Sequence, residues 1–230
     1  MPVRLLSAGA AKGLIAGLES RFAEQTGHPI EGSFGAIGAM RDSFLAQAPC
    51  DVIVLSAAMI EQLMAEALLV PGSARDLGRV RTGVAVCGGA SQPDVGSPAA
   101  LARAFESASG LWFPDPLKAT AGIHFMKVLT ELGLAERLAP RLHPYPNGAT
   151  AMAAMATQGD PKSLGVTQVT EILYTAGVDL VAPLPREFEL ATVYTIAVTA
   201  RATDPELAAR LVALASGPEL AERRSEGGFE

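Results

Sequence analysis

Val3-Arg-Leu-Leu-Ser-Ala-Gly-Ala-Ala-Lys12 is a short apolar run that breaks off in small residues. Such a run reads as a buried strand stopping in a tight loop. Leu14, Leu18 and Phe22 then recur at helical spacing, which predicts one helix over residues 12–25 closed by Gly27. The same grammar repeats twice. Pro29–Phe34 reads as a strand ending in Gly35-Ala-Ile-Gly38, with a helix from about Ala39 to Ala46. Asp51-Val-Ile-Val-Leu-Ser56 reads as a strand buried on both faces, with a helix from Met59 to Ala67. Alternating strand and helix predicts a parallel sheet covered by helices. Ligands of such sheets sit at the carboxyl ends of the strands, here Ser7–Lys12, Phe34–Gly38 and Ser56–Ala57. Small residues there let backbone amides approach a ligand, and the following helix N-termini carry partial positive charge.

The middle of the chain continues the pattern. Strands are expected at Arg79–Cys87, Leu111–Phe113, Ser163–Thr167, Val178–Val181 and Thr192–Thr199. Helices are expected at Ala100–Ala108, Gly122–Leu132, after Pro144-Tyr-Pro-Asn-Gly-Ala-Thr150, and at Pro205–Ala215, where Asp204 and Glu206 suit the helix dipole. Two α/β halves of similar grammar suggest two lobes with a cleft between them.

Composition narrows the function. Of the 230 residues 49% are hydrophobic, enough for a substantial core, so disorder is excluded. No apolar run reaches 18 residues, so no membrane insertion is expected. A net charge of −6 argues against a nucleic-acid surface. Cys50 and Cys87 have no metal or disulfide spacing and are expected as buried thiols. His28 and His143 flank prolines and are expected at the surface. No P-loop, dinucleotide fingerprint or histidine pair at ligand spacing occurs, so neither a cofactor nor a metal is expected. No basic segment followed by a long apolar one marks a signal peptide at the N-terminus.

Ser7-Ala-Gly-Ala-Ala-Lys12, Phe34-Gly-Ala-Ile-Gly38, Asp51-Val-Ile-Val-Leu-Ser-Ala57, Asp115-Pro116, Thr120-Ala-Gly-Ile123, Leu164-Gly-Val-Thr167 and Gly228-Phe229 occur in an order and spacing that resemble the molybdate-binding proteins of ABC transporters. More broadly they resemble the type II periplasmic solute-binding proteins. The resemblance spans nearly the whole chain. It implies an α/β fold of two lobes with mixed sheets, joined by two crossing strands, with the ligand cleft between. Lobe I would hold residues 1–82 and 186–230, and lobe II residues 83–185. It also implies a periplasmic location, a small anionic ligand and an ABC permease as partner.

The molybdate binders grip their oxyanion with serine hydroxyls on the first two loops and a tyrosine late in the second lobe. Those positions fall on Ala10, Ile37 and Gln168 here. Two of only four lysines, Lys12 and Lys118, fall in the cleft loops instead. With neutral donors at Thr120, Asn147, Thr150, Thr167 and Gln168, this mix suits an organic di- or tricarboxylate better than molybdate. The expected ligand-binding set is Ala10, Ala11, Lys12, Ile37, Gly38, Ser56, Lys118, Thr120, Ala121, Gly122, Asn147, Ala149, Thr150 and Gln168.

An enzyme on the same fold is the alternative. Relatives of this family include aconitate isomerase, which shifts a double bond in a small tricarboxylate. That chemistry needs a base and donors for developing charge, and Lys12, His124 and Glu171 are the expected catalytic groups. Each also has a plain reading: a solvated lysine, a helix histidine and a helix-start acid.

Overall fold

The computed structural model describes residues 1–230. The chain begins with β1 (Val3–Ala8), α1 (Lys12–Ala16), α2 (Glu19–Thr26), β2 (Ile30–Gly35), α3 (Ile37–Leu45), β3 (Val52–Ser56) and α4 (Ala57–Ala65). β4 (Arg75–Cys87) then leads into α5 (Pro98–Ser107), β5 (Leu111–Pro114), α6 (Thr120–Glu131), α7 (Ala135–Leu138), β6 (Leu142–Tyr145), α8 (Gly148–Gln158), β7 (Leu164–Gln168), α9 (Val169–Tyr174) and β8 (Val178–Pro183). β9 (Ala191–Val198), α10 (Pro205–Ser216) and α11 (Ala221–Glu226) complete it. The chain forms two compact units, Met1–Val80 with Thr192–Glu230, and Arg81–Ala191.

In the first unit β1 lies between β2 and β3, parallel to both, and β9 runs antiparallel beside β3. Val52–Leu55 is fully buried, as its unbroken apolar run requires. The buried Asp51 carboxylate accepts from the amides of Arg4 and Thr203, both at 2.8 Å, and so ties β1 to the segment after β9. The C-terminus is clipped to β4. Arg79 and Glu230 exchange both backbone hydrogen bonds at 2.8 Å, and the buried Phe229 ring meets Tyr194 edge-on.

In the second unit β5 lies between β6 and β7, parallel to both. β4 runs antiparallel to β7 on one side and to β8 on the other. One face of this sheet packs on α5 and α6 through Val84, Val86, Leu111, Phe113, Leu164 and Val166. The other packs on α8 through Ala85, Trp112, Met152 and Met155.

The structure corrects several expectations. The helix over residues 12–25 is two helices, because the chain tightens at Gly17 and Leu18. A Cβ on Gly17 would come within 2.6 Å of the Arg223 guanidinium packed there. The helices expected from Ala39, Met59 and Gly122 begin two residues earlier, the first two at the ends of β2 and β3 and the third after a turn at Asp115–Ala119. β6 is an additional strand that Pro144 concealed, and its place at the sheet edge tolerates a residue without a backbone donor. Cys50 is buried, but Cys87 is only partly so, its Sγ near the Asp160 carbonyl at 3.3 Å. His143 is not a bare surface residue: its ring stacks on Trp112 with centroids 4.5 Å apart.

Candidate functional site

The first unit brings three loop ends together through the parallel order β2-β1-β3. After β1 the chain turns through Gly9–Ala11 into α1, with Ala10 and Ala11 buried and Lys12 half-buried at the helix start. After β2 it enters α3 at Ile37 and Gly38, and after β3 it enters α4 behind Ser56. The caps of α3 and α4, Ala36 and Ser56, make no side-chain hydrogen bond to the helix.

The second unit repeats this at β5, β6 and β7. Asp115 Oδ1 accepts from the amides of Leu117 and Lys118 at 2.7 and 3.0 Å, shaping the turn into α6 and leaving the Lys118 side chain exposed. The α6 cap, Ala119, also offers no side-chain acceptor. Thr120 is half-buried, and Ala121 and Gly122 are buried in the first turn. A Cβ on Gly122 would collide with the carbonyls of Pro114 and Asp115, so glycine is what lets α6 start against the end of β5. His124 Nε2 donates to the Phe188 carbonyl at 2.8 Å.

α5, α8 and α10 differ from these helices. Their N-caps Ser97, Asn147 and Asp204 each accept from a first-turn amide. Asn147 Oδ1 also accepts from the Thr150 hydroxyl, so both side chains take part in the α8 cap. The same end holds the buried Glu171 carboxylate, which accepts from Thr167 Oγ1 at 2.5 Å and from the amides of Gly148, Ala149 and Gln168. A Cβ on Gly148 would overlap Glu171 Oε2 and Thr167 Oγ1. Burial pushes the Glu171 carboxyl above its ordinary range, against the lowering effect of those hydrogen bonds.

Gln168 closes β7. It is 3% exposed, and neither Oε1 nor Nε2 of its side-chain amide has a hydrogen-bond partner. Its register partner on β4, Thr82, and its near neighbour Thr170 each bury a hydroxyl that is also unpartnered. Thr82 and Thr170 were outside the sequence-derived set. Their only signal was a threonine in an apolar strand and another in the first turn of a short helix. No group of three or more His, Cys, Asp or Glu side chains is placed to hold a metal ion.

Two α/β units, each ending its parallel strands at helix N-termini and linked through β4 and β9, define the periplasmic-binding-protein class of fold. The chain belongs to the bacterial extracellular solute-binding protein family, whose model matches residues 3–230. A similar solved structure is the periplasmic molybdate-binding protein of Azotobacter vinelandii, with TM-score 0.80 and 20% identity over 99% of this chain and 98% of that one. PEB3 of Campylobacter jejuni with L-phospholactate bound matches with TM-score 0.68 and 12% identity, over 99% of each chain. Among curated proteins, aconitate isomerase of a Pseudomonas species is 23% identical over 98% of this chain and 86% of that one. No helix is long and apolar enough to cross a membrane.

Proposed function

We propose that this solute-binding protein takes a small organic di- or tricarboxylate as its ligand and delivers it to an ABC permease. The observation that carries this reading is the contrast in capping. α3, α4 and α6, which follow β2, β3 and β5, have no side chain on their first amides, whereas α5, α8 and α10 are capped by their own residues. Uncapped first-turn amides with a favourable dipole suit carboxylate oxygens. Lys12 adds a formal charge at the first loop, and Lys118 brings a second, exposed one.

The choice of a carboxylate over a tetrahedral oxyanion rests on Ala10, Ile37 and Gln168, which stand where the molybdate binders place hydroxyls. A structural relative with L-phospholactate bound supports a carboxylate-bearing ligand on this fold. The distant likeness to aconitate isomerase supports the same substrate class. As catalytic groups for such an isomerase, His124 and Glu171 are already engaged, one with the Phe188 carbonyl and the other with the start of α8. Binding is therefore the reading preferred here.

Thermal unfolding against molybdate, tungstate, sulfate, phosphate, citrate, malate, cis- and trans-aconitate tests it. A ligand at 100 times its Kd adds about 2.7 kcal/mol of stability. In a chain of this size that raises the midpoint by roughly 5–10 °C. Shifts with carboxylates are expected, and a shift with molybdate or sulfate alone overturns the reading. Lys12→Met is expected to weaken carboxylate binding at least about tenfold, as loss of a charge-assisted bond does.

A further inference from the structure

The second unit buries polar atoms that a simple anion cannot satisfy. Val84 and Val86 on β4, and Leu164 and Val166 on β7, face the α5–α6 core. Ala85 faces α8, and a Cβ on Gly165 would meet Met152 there. Strand alternation therefore carries Thr82 and Gln168 to the α6 side, and Thr167 to the α8 side. Glu171 is on the α8 side, its carboxylate bound to Thr167 and the α8 amides.

Thr82 and Gln168 are opposite each other in the β4–β7 register, which puts their Cβ atoms about 5 Å apart. They are 1% and 3% exposed, and Thr170, two residues beyond Gln168, is 4% exposed. The Thr82 and Thr170 hydroxyls and both polar atoms of the Gln168 amide lack hydrogen-bond partners. Buried polar groups in native proteins are paired, so this set points to a ligand group.

The chemistry of the set selects that group. Whichever way the Gln168 amide is turned, it presents one acceptor and one donor pair. Molybdate, sulfate and an ionised carboxylate offer acceptors only and leave the amide oxygen unpaired. An ammonium would satisfy that oxygen but only donates, so it leaves the amide donor pair without an acceptor. A hydroxyl donates and accepts, and it is neutral. We infer that Gln168, with Thr82 opposite it on β4, receives an alcoholic hydroxyl, so that the ligand is a hydroxycarboxylate. This rests on the proposed carboxylate-binding function and narrows it.

Isothermal titration calorimetry with matched pairs tests the inference: malate against succinate, citrate against tricarballylate, and aspartate as the ammonium analogue of malate. The hydroxy acid of at least one pair is expected to bind at least about tenfold more tightly than its deoxy partner, and malate more tightly than aspartate. In Gln168→Met the ratio is expected to fall towards one, mainly through weaker binding of the hydroxy acid. Thr82→Val provides the same readout should Gln168→Met fail to fold. Equal affinities within both pairs, tighter binding of aspartate, or an unchanged ratio in a folded variant overturns the hydroxyl assignment while leaving carboxylate binding intact. Binding of molybdate or sulfate with no carboxylate bound overturns both.

Discussion

Glu171 is a carboxylate held in the protein interior by one hydroxyl and three amides, with Gly148 the only residue type that lets it approach α8 so closely. Gly148→Ala forces either the carboxylate or the helix start to move. A loss of about 1–3 kcal/mol is expected by urea denaturation, in line with overpacked sites. The pH dependence follows from the raised Glu171 value. The folded state holds the proton more tightly than the unfolded chain, whose glutamate titrates near 4.5. The associated stability is fully present below that pH and is lost as pH rises through the folded value. Urea midpoints measured from pH 4.5 upward are therefore expected to decline in the wild type through this group. Glu171→Gln, which cannot titrate, is expected to flatten that slope; an unchanged slope would remove Glu171 as its source.

Single elements are held by a few end contacts. α10 starts with Asp204, which accepts from the Leu207 amide at 2.9 Å, and Pro205 follows at the first helical position. Asp204→Ala is expected to cost about 1 kcal/mol, the usual worth of an N-cap. The C-terminal segment depends on one aromatic anchor. Phe229 is buried against Tyr194, and Gly78 opposite it adopts φ +140, with space for a Cβ closed by Glu230 O at 3.0 Å and Phe229 Cβ at 3.1 Å. Phe229→Ala is expected to destabilise by about 3–5 kcal/mol, as large core aromatics do. Differential scanning calorimetry would separate these two magnitudes.

Across the whole molecule the two cysteines mark the two units. Cys50 lies in the first, buried, with its thiol pushed up to about 12 by desolvation. Cys87 lies in the second, half-buried, and desolvation raises its thiol as well. Thiolate is the reactive form, so both react slowly in the native protein, and Cys87 is expected to react first with Ellman's reagent. Cys50 is expected to react only at the rate at which the first unit opens. Fast native labelling of Cys50 would contradict the packing around β3.

The alternation of apolar runs and small-residue loops was enough to read an α/β chain, because strand burial and helix periodicity are written into local spacing. The ordered motifs carried the family for the same reason: each marks a strand end where only small residues fit. Lys12, Gly38 and Thr120 were nominated from those strand-end loops, and Ile37 and Gln168 from the resemblance to the molybdate binders. Tertiary structure decided what local spacing does not encode. It split the first helix at Gly17, whose missing side chain leaves room for the guanidinium of Arg223, more than 200 residues away. It made Leu142–Tyr145 a strand because an edge position excuses Pro144. It engaged Asn147, Thr150, Glu171 and His124 in contacts of their own, and set Thr82 beside Gln168 across 86 residues of chain. Whether a buried polar group has a partner depends on residues distant in sequence, so the hydroxyl-accepting set could be recognised only once the strands were paired.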